Sequence, residues 1–198
     1  MVVSDPLVDV EDGNTPIDEE EARGLRLSWV RTRGDLNEAE AANILDGRRA
    51  IRAASLDDVT DDLWLRRLHK LMFGDVWAWA GTYRLSDRNI GIDWAAVPAS
   101  VRDLVADCRT WTALDRTEIP VARFHHRLVV IHPFPNGNGR HARAAADYLS
   151  IALGLSIPTW GARIFTDTIE LRAAYLSALR VADRDPDDLE ALREFMWS

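Results

Sequence analysis

Within twelve residues, His132-Pro133-Phe134-Pro135-Asn136-Gly137-Asn138-Gly139-Arg140-His141-Ala142-Arg143, the chain gathers a histidine, three small turn-formers and two arginines. The stretch lies between an apolar helical run, Val121 to Ile131, and an alanine-rich one, Ala144 to Leu153. A loop containing Gly-Asn-Gly that opens directly into a helix leaves several backbone N–H groups unpaired and aimed at one spot. Those donors and the positive end of the helix dipole attract phosphate. Arg140 and Arg143 are three apart, hence on one face of the new helix's first turn. The planar fork of arginine suits phosphate oxygens. His132, at the other end of the loop, is placed to remove a proton at neutral pH. The combination points to phosphate chemistry on a nucleotide.

Helices must carry this loop. Apolar residues recur with helical period over Ile17 to Val30, Asn37 to Ala53, Thr60 to Phe73, Pro98 to Leu114, Val121 to Ile131, Arg140 to Leu153, Thr168 to Ala182 and Pro186 to Met196. Start signals accompany several of these runs: Asn37 with Glu40 three on, Thr60 before Asp61-Asp62, and Asp185 before Pro186. Residues 1–15 are acidic and aperiodic and are expected to fray or pack late. One segment departs from the helical pattern. Between Tyr83 and Trp94 the residues favour a short β-hairpin with its turn at Ser86 to Asn89. The expectation is a single all-α domain over 16–198 with one small β excursion.

With 198 residues the chain is long enough for one full core and short for two. A net charge of −8 argues against nucleic acid as the principal partner, since phosphate-backbone binding needs a basic face. A local cluster such as Arg140 and Arg143 suffices for a nucleotide. No apolar run approaches the ~20 residues of a membrane span, and the acidic start is the reverse of a signal peptide's basic region. The single cysteine, Cys108, is in phase with Val101, Leu104, Val105 and Trp111 and reads as buried packing. These features predict a cytoplasmic protein that binds no membrane. Most of the eight tryptophans fall in apolar-periodic runs and read as core, whereas Trp160 has no obvious place. His125 and His126 point about 100° apart on a helix and lack an acidic or histidine partner at i+4, which disfavours a metal site. Asp147 lies four after Arg143 and reads as an i,i+4 pair.

The twelve-residue stretch resembles the Fic family signature, His-x-Phe-x-(Asp/Glu)-Gly-Asn-Gly-Arg-x-x-Arg, at every defined position except the acidic one. His132, Phe134, Gly137, Asn138, Gly139, Arg140 and Arg143 match, and Asn136 stands where the acid belongs. Trp79-Ala80-Gly81-Thr82-Tyr83-Arg84 is similar to the stretch before the family's substrate-binding flap. Phe124-His125-His126-Arg127-Leu128 is similar to the helix entering the loop, and Tyr175-Leu176-Ser177-Ala178-Leu179 to a late family helix. Gly13-Asn14-Thr15-Pro16, Thr32 to Asn37 and Leu68 to Trp77 resemble a bacterial subgroup, the so-called mobile mystery protein B.

The resemblance implies a Fic-type helical bundle with a short β-hairpin flap, and a protein adenylyltransferase that moves AMP from ATP to a Ser, Thr or Tyr hydroxyl of a target protein. It implies that His132 is the general base and that Phe134 anchors the loop. Gly137 and Gly139 let the backbone approach the nucleotide, and Asn138 both holds the loop and donates to phosphate. Arg140 takes the β- and γ-phosphates, while Arg143 serves the γ-phosphate or an inhibitory glutamate. Tyr83, Arg84, Asn89, Ile90, Gly91 and Ile92 form the target-docking flap. At Asn136 the family's acid holds Mg²⁺; the amide lacks that charge, so metal affinity should fall. Three outcomes stay open: weaker AMP transfer, a different donor or phosphate transfer as in the related Doc proteins, or a non-enzymatic binding module. No self-inhibitory (Ser/Thr)-x-x-x-Glu-(Gly/Asn) pattern occurs at either end, and Arg31 to Asn37 lacks its glutamate in register. Inhibition by a separate antitoxin, one half of a two-gene element with a DNA-binding partner, is the corresponding expectation.

Overall fold

The alanine-rich run after the loop becomes the most enclosed element of the molecule, and the other helices gather around it. The computed structural model describes residues 22–51 and 54–198. Along them run α1 (Arg33–Ala50), α2 (Leu56–Val59), α3 (Asp62–Phe73), α4 (Val97–Leu114), α5 (Glu118–Ile131), α6 (Asn138–Leu153), α7 (Thr168–Arg184) and α8 (Glu190–Trp197), with a 3-10 turn at Trp94–Ala96 leading into α4. In α6, Ala142, Ala144, Ala145 and Ala146 are fully buried. Their small side chains let α5, α3 and α2 close on this helix. Around it α1 packs on α3, α4 on α5, and α8 on both α7 and α5. Cys108 is buried in α4, where loss of hydration pushes its thiol up to about 12, outside the reactive range. Among the described residues no helix is long and apolar enough to cross a membrane.

The all-α expectation holds, with local corrections. Residues 17–21 of the first expected helix lie outside the described residues, Ala22 is helical, and from Arg23 to Val30 the segment is not. Gly24 sits in a turn, Leu25 forms an isolated antiparallel bridge with Trp77, and the Arg26 N–H donates to the Val76 carbonyl at 2.9 Å. The chain there is tied laterally to the end of α3 instead of to itself. Helix α1 starts at Arg33 because Thr32 and Asp35 form a reciprocal capping box one turn before the expected Asn37–Glu40 pair. Asp61 caps α3. Asp185 caps a tight turn through the Asp187 N–H, so α8 begins only at Glu190.

The expected hairpin between Tyr83 and Ile92 does not form: no strand occurs among the described residues. A side chain has taken the place of the ladder. Arg84 is 2 % exposed and donates to the carbonyls of Ser86 (3.0 Å), Ile92 and His132 (2.7 Å). Those carbonyls would otherwise seek cross-strand N–H groups. Gly91, at φ 115°, turns the return limb where a Cβ would meet the Arg84 guanidinium and His132.

Helices α1 and α3 cross at Gly47, where an added Cβ would press into the Leu71 carbonyl. Alanine in mid-helix ordinarily gains about 0.5–1 kcal/mol over glycine, but backbone overpacking costs about 1–3 kcal/mol. Gly47→Ala is therefore expected to lower stability by about 1–2 kcal/mol, a fall of about 2–4 °C per kcal/mol for a domain this size. Thermal melting of the variant checks this, and a rise in melting temperature would refute the close crossing.

Candidate functional site

Helix α5 ends abruptly at His132, whose backbone is left-handed (φ 52°, ψ 61°), with its N–H closing on the Leu128 carbonyl at 3.2 Å. For a non-glycine residue that conformation costs about 1–3 kcal/mol and persists only where the surroundings enforce it. Here the Arg84 N–H donates to the Pro133 carbonyl at 3.0 Å, while its guanidinium holds the His132 carbonyl. Two residues on, Phe134 is fully buried, stacked on His69 with ring centroids 3.8 Å apart and edge-on to His141 at 4.9 Å. The Asn138 side chain clasps the Phe134 backbone from both sides: its Oδ1 accepts from the N–H and its Nδ2 donates to the carbonyl, each at 2.8 Å. The loop is pinned at its base.

At its far end α6 opens without a side-chain cap. Gly137 stands at the N-cap with φ 76°, and an added Cβ there would meet the Phe73 ring at 2.6 Å. The first backbone donor with a helical acceptor is His141, to the Gly137 carbonyl. The N–H groups of Asn138, Gly139 and Arg140 have no carbonyl one turn back, and the helix dipole adds positive potential at that point. Gly139 needs no special conformation; an added Cβ would meet only Arg143, at 3.7 Å. The steric case for glycine holds at position 137.

The side chains around this helix end divide in ways the sequence did not reveal. Arg140 reaches back to Glu40 on α1 (2.8 Å), a residue 5 % exposed whose other oxygen accepts from the Trp77 indole at 2.7 Å. Its guanidinium also lies over the Phe73 ring, 5.0 Å from the centroid. Arg143 is buried over the Tyr175 ring of α7. Asp147, read as its i,i+4 partner, accepts from Arg48 of α1 and from the Trp160 indole at 2.9 Å. That bond gives Trp160 its place in the core. The Asn136 Oδ1 accepts from the Gly137 N–H at 2.6 Å. It is thus turned into the loop instead of outward, and the loop itself offers no carboxylate. Among the described residues no three His, Cys, Asp or Glu side chains come together to hold a metal. His125 and His126 each meet α7, through the Tyr175 hydroxyl (3.0 Å) and the Asp183 carboxylate (2.8 Å).

His132, Asn136 to Arg140 and Arg143 form one wall of a cavity of about 350 Å³. Leu176, Leu179 and Asp183 of α7 stand on its far wall, flanked by Arg172 and Arg180, and Ile90 borders it from the flap segment. The size suits a small-molecule ligand. The lining combines backbone donors and guanidinium groups with the apolar side chains of Leu176 and Leu179, against which a flat ring can lie. Of the expected flap residues, Asn89, Ile90 and Gly91 are exposed and Ile92 half-buried. Tyr83 and Arg84 face inward: Tyr83 bonds Asp62 under the Arg66 guanidinium, and Arg84 is the staple already described.

Burial pushes the His132 imidazole down to about 4, with the Arg84 and Arg88 charges acting in the same sense and the Val129 backbone opposing in part. The ring is neutral at neutral pH, as a proton acceptor must be. Burial likewise lowers His141 to about 4 and His69 well below its ordinary value.

Sequence reasoning missed Glu40, the stapling role of Arg84, and the α7 wall. The signal for Glu40 was a charged residue inside the apolar stripe Leu36, Ala39, Ile44 of α1. Nothing in a loop segment marks an arginine as buried.

Residues 60–150, the segment that builds the loop, match the Fic/DOC family model. Among curated proteins, the protein adenylyltransferase fic-1 of Caenorhabditis briggsae is 29% identical over 138 residues, 65% of this chain. The chain spans about a quarter of that relative, 24% of its length. The fold is similar to the crystal structure of BepC from Bartonella tribocorum with bound AMPPNP (TM-score 0.68, 15% identity, 90% of this chain and 96% of that one). It is also similar to Fic-1 from C. elegans (TM-score 0.61, 23% identity, 88% of this chain and 55% of that one).

The Arg140–Glu40 pair separates two roles of one arginine. Arg140→Ala removes a guanidinium that lines the cavity and leaves buried Glu40 without its ionic partner. It should weaken binding of inorganic pyrophosphate about tenfold or more and lower stability by about 1–3 kcal/mol. Adding Glu40→Gln should restore the melting temperature but not the pyrophosphate affinity; recovery of both together would dismiss Arg140 as an anion ligand. The buried histidines predict acid lability. Their unfolded forms take a proton below about pH 6.5 while His132 and His141 refuse it until about 4. Stability is therefore full above pH 6.5 and falls towards pH 4, by roughly 2–4 kcal/mol for each ring. A melting temperature flat from pH 7 to 5 would refute neutral burial.

Proposed function

We propose that the chain transfers AMP from ATP to a hydroxyl of a target protein. The observation that carries this reading is the convergence, on one cavity, of a neutral histidine, an uncapped helix N-terminus and two arginines. In the step we infer, the target hydroxyl oxygen attacks the α-phosphorus and the bond from that phosphorus to the bridging oxygen of pyrophosphate breaks. The proton passes to the His132 imidazole and pyrophosphate departs with its negative charge. His132 starts with a low proton affinity; polyphosphate charge beside the ring raises it, which helps the ring hold the proton as the hydroxyl reacts. The Asn138, Gly139 and Arg140 N–H groups and the Arg140 guanidinium meet the charge developing on the phosphates. The nucleobase lies against Leu176 and Leu179 of α7.

A protein-held magnesium ion does not fit these residues, because Asn136 is neutral and its carbonyl oxygen already accepts from Gly137. No step here runs through a metal. The same observation favours a second reading, in which the site moves the γ-phosphate or only binds a partner. The exposed Leu85 (71 %) and Ile90 (58 %) on the segment bordering the cavity support its role in docking an extended segment of the target. A separate inhibitory protein, an antitoxin, belongs to this proposal on the subgroup resemblance alone.

Incubation with α-³²P-ATP and γ-³²P-ATP in parallel, with a lysate as target pool, separates the readings. AMP transfer labels protein from the α-phosphate alone and phosphate transfer from the γ-phosphate alone; no labelling with retained partner binding favours a binding module. His132→Ala should cut α-labelling by about 10²–10⁴-fold and leave ATP affinity within about twofold, since the base acts on the hydroxyl and not on the nucleotide. Undiminished labelling by that variant would remove His132 from the chemistry.

A further inference from the structure

His69 on α3 is fully buried, outside the cavity lining, and bonded at both ring nitrogens. The Gly81 N–H donates to its Nδ1 at 3.0 Å. A backbone N–H can only donate, so Nδ1 carries no proton, and a neutral ring must then carry it on Nε2. That Nε2 lies 3.0 Å from the Asn136 carbonyl oxygen, which accepts it. The tautomer follows from the geometry. Burial disfavours the imidazolium form, which could not accept from Gly81.

The two partners belong to different working parts. Gly81 is the root of the Tyr83–Ile92 segment, and α3 grips its peptide on both sides, since Arg66 Nε donates to the Gly81 carbonyl at 3.0 Å. With φ +78°, Gly81 sits so close to α3 that a Cβ would meet the Arg66 carbonyl oxygen at 2.7 Å. Asn136 carries the peptide that leads into Gly137, the N-cap of the open helix end. Fixing the Asn136 carbonyl fixes the plane of the Asn136–Gly137 peptide, and with it the approach to the anion-binding N–H groups.

We propose that His69 is a positioning residue that locks the root of the flap segment to the anion-binding loop, so that the two hold one geometry. The proposal rests on the reading that this helix end binds the phosphates of ATP. His69→Phe keeps a ring to stack on Phe134 and removes both polar atoms. His69→Gln keeps one acceptor and one donor on a planar group.

Hydrogen–deuterium exchange and ATP titration are read on the full chain. In His69→Phe, exchange should speed up about tenfold in both the Gly81–Ile92 and the Asn136–Arg140 segments, and ATP affinity should fall about tenfold. His69→Gln should recover most of both. Loosening of one segment alone, or unchanged ATP affinity in a loosened loop, would overturn the coupling. Should His69→Phe fail to fold, ¹⁵N spectra of the imidazole in the unmodified protein decide the matter. They should show a neutral ring protonated at Nε2, and a Nδ1-protonated or charged ring would overturn the proposal. If the unmodified protein binds no ATP, the functional reading fails, and the exchange comparison still tests the lock.

Discussion

The N-terminus of α6 is a helix end inside the protein with no side chain to cap it, and the rest of the site answers to that condition. Unpaired N–H groups at a buried helix end are costly unless water or a ligand meets them. The usual remedy, a Ser, Asp or Asn at the N-cap, is excluded because Gly137 occupies that place and a Cβ there would strike Phe73. The nearest amides look elsewhere: Asn138 holds Phe134, and Asn136 turns back on the Gly137 N–H. The chain has suitable capping groups within reach and directs them to the base of the loop. An anion is the partner that such an arrangement accommodates.

Holding that end open depends on contacts between parts distant in sequence. Arg84 reaches the His132 carbonyl 48 residues away, and Arg140 meets Glu40 across 100. In both cases a charged group enclosed by the fold does what secondary structure would otherwise do. Arg84 substitutes for a strand ladder, and Glu40 fixes a guanidinium that would sample many rotamers in solution. Each such contact is worth more at low local polarity and costs more if broken.

This division explains what was legible beforehand. The chemistry of the loop could be read because its meaning is local: His132, Gly137 and Arg140 lie within nine residues, and helix-opening physics acts over one turn. The helices could be read because burial follows their period; Leu65, Leu68, Met72 and Phe73 recur as the expected stripe of α3. The hairpin could not, since the residues of 83–92 do suit a turn and only the enclosed Arg84 removes the need for one. Pro186 signalled a helix start, but Asp185 used its capping oxygen on a tight turn first. Glu40 was visible only as an anomaly in an apolar stripe, and an anomaly does not name its partner.

Charge offers a physical account of the one departure from the signature. Arg140, Arg143, Arg172 and Arg180 bring four positive charges to the cavity lining, against Asp183 there and Glu40 bonded to Arg140. An aspartate at position 136 would reduce that excess and set a carboxylate at the positive helix end, where it would compete with an incoming anion. With asparagine the same backbone bond to Gly137 is made by a neutral oxygen, and the excess positive charge survives unaided. Beside the enclosed Glu40, the amide at 136 therefore leaves the positive excess of the cavity lining undiminished.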